Sequence, residues 1–222
     1  RGKLPILVGG TGLWADAVIR GHGFAAGHLG GQVREKLQQR LAAEGIAPLL
    51  EELRQVDPAA AERLHPADEK RIIRALEVFL ETGKTITAHN EETKAVPSRF
   101  RAVWIGLRFT DREDMKALID RRVDKMVDEG LLEGVDALLK SGLPRHATSL
   151  QAIGYKELLM YINGELPYGD AVELLKKNTR NYAKRQLTWF RRDPSVIWSY
   201  PDENGTDAIF ENIVNIAKKH LN

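Results

Sequence analysis

The chain has 222 residues, 43% of them hydrophobic and 29% charged, enough apolar material to bury a core and enough charge to stay in solution. Lys and Arg number 33 against 31 Asp and Glu, for a formal charge of +2 and a sequence pI near 8.8, so attraction to nucleic acid needs a local patch. That balance excludes a disordered acidic or basic tail; no apolar run of about 18 residues is available to cross a bilayer, and zero cysteines exclude disulfides and thiolate zinc sites and suit a cytoplasmic protein.

The first residues, Arg1-Gly2-Lys3-Leu4-Pro5, run into a strand-like stretch without an initiator Met, so the chain is expected to begin inside a domain. The apolar run 4–8 predicts a strand, closed by Gly9-Gly10-Thr11-Gly12, and 13–19 predict a helix, together one strand-to-helix turn of an α/β sheet. Glycines and small residues over 20–31 have a linker composition. Periodicity then predicts helices over 32–44, 46–56 and 67–82, with Pro58 marking a break and Gly83 a C-cap. A polar stretch over 89–98 leads out of this helical block, and alternation over 101–107 predicts a strand. Thr110-Asp111 with Asp114 is an N-terminal capping signal for a helix reaching Gly130, followed by another around 132–140. Helical patterns over 149–162 and 167–192, a late strand over 196–200 and a C-terminal helix complete the chain. The predicted organisation is an α/β core of 1–31 and 99–222 with an all-helical insertion domain at 32–98.

On a helical wheel Met115, Leu118, Ile119, Val123 and Met126 form an apolar stripe with Arg122 in its middle, while Arg121 points to the polar side. A cation on a core-facing surface is either half of a buried ion pair or a fork for a phosphate or diphosphate. Further on, Lys176, Lys177, Arg180, Lys184 and Arg191 share one helical face, and Leu175, Tyr182, Trp189 and Phe190 lie on another. Five cations in one stripe suit a phosphodiester partner; the alternative is a solvated basic face over an aromatic core. Gln186 falls among the aromatics, where a long amide needs partners or a ligand. Arg71 and Arg74 make a second basic pair on the polar side of their helix, opposite Ile73, Leu76 and Leu80. Glycines such as Gly9 and Gly10 commonly serve only to close a strand-to-helix connection, but Thr11 opens the helix, where free amides and a hydroxyl can receive an anion. No G-x-x-x-x-G-K-[ST] sequence occurs, so the chain does not form a complete P-loop by itself, and the six histidines lack ligand spacing, so no metal cage is predicted.

Taken in order, Gly2-Lys3-Leu4-Pro5-Ile6-Leu7-Val8-Gly9-Gly10-Thr11-Gly12-Leu13, then His65-Pro66-Ala67-Asp68 with Arg71-Ile72-Ile73-Arg74-Ala75-Leu76-Glu77, resemble the bacterial tRNA dimethylallyltransferases. The resemblance continues through Arg122-Val123-Asp124-Lys125-Met126, Gln151-Ala152-Ile153-Gly154-Tyr155-Lys156-Glu157 and Tyr182-Ala183-Lys184-Arg185-Gln186-Leu187-Thr188-Trp189-Phe190-Arg191, and covers essentially the whole chain. It implies a P-loop NTPase-like, nucleotide-binding parallel-sheet core with a tRNA-binding helical insertion, and Mg2+ as the assisting ion. The implied reaction moves a dimethylallyl group from dimethylallyl diphosphate to the N6 amine of the adenine just 3′ of a tRNA anticodon. Thr11 is thereby expected at the reaction centre and Arg122 on the diphosphate, with Gly9 and Gly10 completing the substrate-binding set. The implied tRNA contacts are Arg34, then Lys70, Arg71 and Arg74, then Gln151, Gly154 and Tyr155, and finally Lys184, Arg185, Gln186, Trp189 and Arg191, to which the stripe adds Lys176, Lys177 and Arg180.

The chain departs from the family's pattern at Trp14, usually Tyr there, at Leu118, often Arg, and over 27–31, which lack the family's Ala-Asp pair. The family's P-loop and the acidic general base after it would precede Arg1, so the chain is expected to be an incomplete, inactive portion. Its expected partners are tRNA and dimethylallyl diphosphate, with no membrane, in a monomer. Two other readings are a non-catalytic RNA-binding fragment and a relative of the P-loop small-molecule kinases; the long cationic stripe argues against the second.

Overall fold

A computed structural model describes residues 3–21, 23, 31–145 and 147–221, which divide between two compact units. One unit comprises Arg1–Leu7 with Leu13–Ala102, the other Val8–Gly12 with Val103–Asn222.

The first unit is helical: α1 (Gly12–Arg20), which begins at the border of the units, α2 (Gln32–Glu44), α3 (Ile46–Val56), α4 (Pro58–Arg63), α5 (Glu69–Thr82) and α6 (Ile86–Ala95). Helices α2 and α3 pack on α5 through Leu37, Leu49, Leu53, Ile72 and Leu76, all essentially removed from water. Each such leucine or isoleucine stabilises the unit by about 2 kcal/mol through apolar burial. The predicted bounds of α2 and α3 agree with the structure, and Gly83 caps α5 at φ 70°. Pro58 does more than break a helix, because it occupies the first turn of α4, where its missing N–H has no intrahelical role. Asp57 caps that helix: its buried carboxylate accepts from the Ala60 amide at 3.1 Å and from the Thr87 hydroxyl at 2.7 Å, which ties α4 to α6. Helix α6 stands where a polar exit segment was expected over 89–98. Composition misled there, because Thr85 caps the helix through the Ala88 amide and Lys84 pairs with Glu92, local bonds that hold a helix with no buried residue.

The second unit holds the strands β1 (Ile105–Leu107) and β2 (Ile197–Ser199), paired in parallel with Ile105 opposite Ile197. A parallel pair needs a long crossover, supplied here by α7 (Arg112–Asp128), α8 (Leu131–Lys140), a short 3-10 turn (Thr148–Gln151), α9 (Tyr155–Ile162) and α10 (Tyr168–Phe190). Helix α10 packs on α7 and α9, burying Val123, Leu158, Ala171 and Leu175. The last helix, α11 (Pro201–Leu221), is interrupted at Gly205.

Among the described residues the architecture is mostly helical with this small parallel sheet. The predicted strand at 4–8 is not formed: the segment pairs with neither β1 nor β2, and Leu4, Ile6, Leu7 and Val8 are 49%, 79%, 61% and 88% exposed. An apolar alternating run becomes a strand only when a neighbour answers its amides and carbonyls. The predicted helix over 149–162 is split by Ala152–Gly154 into the 3-10 turn and α9. Most of the expected linker, His22 and 24–30, lies outside the described residues.

Candidate functional site

In the second unit the glycine-rich turn sits directly on α10. A Cβ on Gly10 would overlap the flexible end of Gln186, which can give way, and one on Gly12 would overlap the rigid Trp189 indole, so position 12 owes its glycine to close approach. Two turns of one helix thus supply the floor of the turn, Gln186 beneath Gly10 and Trp189 beneath Gly12. Between them Thr11 is exposed, and its Oγ1 lies 3.5 Å from the Tyr182 hydroxyl. Hydrogen bonds from Thr11 and then Gln186, helped by the nearby charge of Arg185, hold the Tyr182 phenol below its ordinary pKa against the opposing effect of burial. The Arg185 guanidinium lies 5.6 Å from the Tyr182 ring centroid. Gly10, Thr11, Arg185, Gln186 and Trp189, singled out from the sequence, therefore meet at one place, while exposed Gly9 borders it. Tyr182 joins them unforeseen. The helical wheel put it with the buried aromatics, yet it is 37% exposed, and its place four residues before Gln186 was the available signal.

The five-cation stripe is split. Lys176 pairs with Asp124 at 2.7 Å and Glu173 at 3.2 Å, and Arg180 grips both oxygens of Asp120 at 2.5 and 2.7 Å. Asp120 and Asp124 fasten α10 to α7, and Asp124, whose hydrogen bond leads, together with Glu173 raises the Lys176 pKa despite burial. Lys177, Lys184 and Arg191 are exposed and have no side-chain partner among the described residues. Arg122 corrects the helical-wheel reading: it is exposed beside Leu118, itself 46% exposed, while Met115, Ile119, Val123 and Met126 turn inward. Leu118 was wrongly counted with the buried stripe, and removing it shifts the apolar arc away from Arg122. Among the described residues neither a hydrogen bond nor an ion pair links Arg122 to the Thr11 cluster.

Gln151 ends the 3-10 turn and is exposed; Gly154, at φ 102°, starts α9, and Tyr155 is half-buried. Beneath them lies Glu157, wholly buried, whose Oε2 accepts from the Gly154 amide at 2.8 Å and whose Oε1 accepts from Asn178 Nδ2 at 2.6 Å. In the first unit Lys70 is exposed, and among the described residues Arg71 pairs only with Asp68. Arg74 and Arg34 both bond to Glu77, which is wholly buried. Burial pushes the Glu77 carboxyl up, but the Arg74 and Arg34 hydrogen bonds and charges outweigh it and hold the group below the usual carboxylate range. The sequence signal for Glu77 was a charged pair at i, i+3 inside the apolar run 72–78.

A family model described as IPP transferase matches residues 1–193. The chain belongs to the IPP transferase family. The tRNA dimethylallyltransferase of Acetivibrio thermocellus is 40% identical over 221 residues, spanning 100% of this chain and 69% of the relative. That of Geobacter sulfurreducens is 44% identical over 220 residues, spanning 99% and 68%. Among solved structures, the tRNA isopentenylpyrophosphate transferase of Bacillus halodurans superposes with a TM-score of 0.62 at 38% identity, over 98% of this chain and 67% of that one. A eukaryotic dimethylallyltransferase acting on tRNA shares the fold at a TM-score of 0.75 and 23% identity, over 99% of this chain and 57% of that one.

The described residues of this family member do not form a protein cage for the implied magnesium. Among the described residues no group of three or more His, Asp or Glu could hold a metal, and around Thr11 the donors are hydroxyls and an amide rather than the carboxylates Mg2+ prefers. No step below passes through the ion. Nor, among the described residues, is any helix long and apolar enough to cross a membrane.

Proposed function

We propose that the protein transfers a dimethylallyl group from dimethylallyl diphosphate to the N6 amine of the adenine 3′ to a tRNA anticodon, in the cytoplasm where tRNA is used. The observation that carries the reading is the Gly9-Gly10-Thr11-Gly12 turn seated on Gln186 and Trp189, in a chain that belongs to the IPP transferase family. The parallel pair β1–β2 and its helical crossover are compatible with a P-loop-type core. In the reaction the allylic C1–O bond breaks as the C1–N6 bond forms, the diphosphate leaves with its electron pair, and the amine gives up one proton to solvent or a base. Catalysis of such a displacement rests on alignment and on cations and amides fixed around the leaving oxygens. The Thr11 hydroxyl, beside that of Tyr182, is a donor available to the leaving oxygens, and exposed Arg122 offers a guanidinium fork for the diphosphate. An anticodon-loop adenine is readily unstacked; the Gln186 amide suits its reception, and exposed Lys177, Lys184 and Arg191 suit the adjoining phosphates.

The test is transfer of labelled dimethylallyl diphosphate to tRNA by the protein that carries this chain. Thr11→Ala and Arg122→Ala should each slow single-turnover transfer by about 10²-fold, the loss expected for one preorganised charge stabiliser. Unlabelled tRNA with the unsubstituted protein, or full rates in both variants, would overturn the reading.

A further inference from the structure

Glu77 binds Arg34 and Arg74 in an unusual manner. Among the described residues, its Oε2 alone receives Arg34 Nη2 at 2.8 Å and Arg74 Nη1 at 2.7 Å, while Oε1 is buried without a hydrogen-bond partner. A carboxylate serving only to bolt α2 to α5 would gain more by answering one guanidinium with both oxygens, in the bidentate geometry that makes such pairs strong. Here two cations converge on one oxygen, and one negative charge balances only one of them. The surplus is fixed in place and reaches solvent, since the Arg34 and Arg74 side chains keep 31% and 25% of their exposure against 0% for Glu77. Each guanidinium carries five N–H donors, and although Arg34 Nε is buried, one bond to Glu77 leaves terminal N–H groups for another acceptor. Lys70, exposed on the preceding turn of α5, extends the positive field, while the neighbouring Arg71 is offset by Asp68.

We propose that Glu77 is a positioning residue for RNA binding: it holds Arg34 and Arg74 together as a seat for one backbone phosphate. Two free arginines would repel each other and disperse over many rotamers. The buried carboxylate removes the repulsion and the freedom at once, so the phosphate meets a preformed pair. Glu77 itself does not touch the RNA. The inference rests on the tRNA reading above and adds to it the residue that organises one contact.

The experiment is a salt-titrated tRNA-binding series and steady-state transfer with the protein that carries this chain, unsubstituted and as Glu77→Gln, Arg34→Lys and Arg74→Lys. Glu77→Gln should raise the KM and Kd for tRNA about tenfold, as for loss of a charge-assisted hydrogen bond, with kcat within about twofold because no reacting atom is touched. The lysine variants keep the charge but lose the planar fork, and each should raise KM to a similar extent. A Glu77→Gln protein that melts earlier yet keeps its KM and salt slope would overturn the proposal, leaving Glu77 a structural ion pair. Should Glu77→Gln fail to fold, the lysine variants decide: an unchanged KM in both overturns it. An unsubstituted protein that binds no tRNA overturns the functional reading and this inference with it, whereas binding that all variants match overturns this inference alone.

Discussion

Each of the two compact units hides one glutamate from water, and they are used in opposite ways. Glu77 faces two guanidiniums, one from a residue 43 positions away, and leaves an oxygen unanswered. Glu157 shares its two oxygens between the backbone amide three residues earlier and the Asn178 side chain, with Lys156 Nζ at 3.4 Å. The first exists to manage charge between helices; the second shapes a turn, letting Gly154 enter α9 at φ 102° while the helix's first amide stays bonded. Equal burial therefore does not mean equal dependence on ionisation. A group held by two guanidiniums needs its negative charge, whereas one whose short hydrogen bonds come from neutral donors, with a lysine only at 3.4 Å, needs mainly its oxygens.

The largest expected effect comes from removing the charge in the first unit. Glu77→Gln leaves two arginines half-buried against a neutral amide and should destabilise that unit by about 3 kcal/mol or more, as when a buried pair loses one partner, read as a lower urea midpoint. Because the folded-state pKa of Glu77 is depressed, its contribution is present above the unfolded carboxylate pKa and is lost as pH falls through the lower folded value. Acid titration of the unsubstituted protein should show that loss; Glu77→Gln should lack it. An identical acid limb in both would dissolve the contrast with Glu157.

Glu157→Gln should cost less, about 1 kcal/mol, because the Asn178 amide can turn its oxygen toward the new NH2 while the Gln oxygen still accepts from Gly154. Denaturant midpoints for Glu157→Gln and Glu157→Ala would sharpen the point, with the alanine variant falling further. Loss as large as that of Glu77→Gln would mean that charge, not hydrogen-bond count, governs this site too.

The smallest effects are expected on α10, where the same division separates neighbours. Lys177 is unpartnered and Lys176 is held by Asp124 and Glu173, so Lys177→Ala should flatten the log–log salt dependence of tRNA binding by about 0.7 to 0.9 and Lys176→Ala by less. Stability should shift by only about 0.5 kcal/mol for Lys177→Ala, as for other surface changes. Equal slopes would show that its acidic partners on α7 and α10 do not commit Lys176.

What could be read before any coordinates follows the same physics. Caps and periodicity are local, so the ends of α2 and α3, the Gly83 cap and the Asp111 cap, whose side chain accepts from the Glu113 amide at 2.7 Å, were legible. The run 4–8 was not, since its pattern states a preference that only a pairing partner can realise. The exposed side of α7 was misjudged because one leucine, Leu118, faces water and skews the wheel. In the candidate site, Thr11 and Gln186 were legible as chemistry, but their meeting was not: 175 positions of chain separate them. Glu77 was hidden for a related reason, because burial of a charge is decided by Arg34 from another helix.

The close seating of the glycine turn on α10 also sets an order in which the protein can change. A side chain at position 12 would need the space that the Trp189 indole fills, and one at position 10 the space of the Gln186 amide. At position 12 innovation must therefore be preceded by retreat on the helix, whereas at position 10 the flexible end of Gln186 can swing aside. A lineage that shrinks Trp189 first opens a route to a bulkier turn, while one that starts at Gly12 meets a dead end, so the history of one element constrains the future of the other.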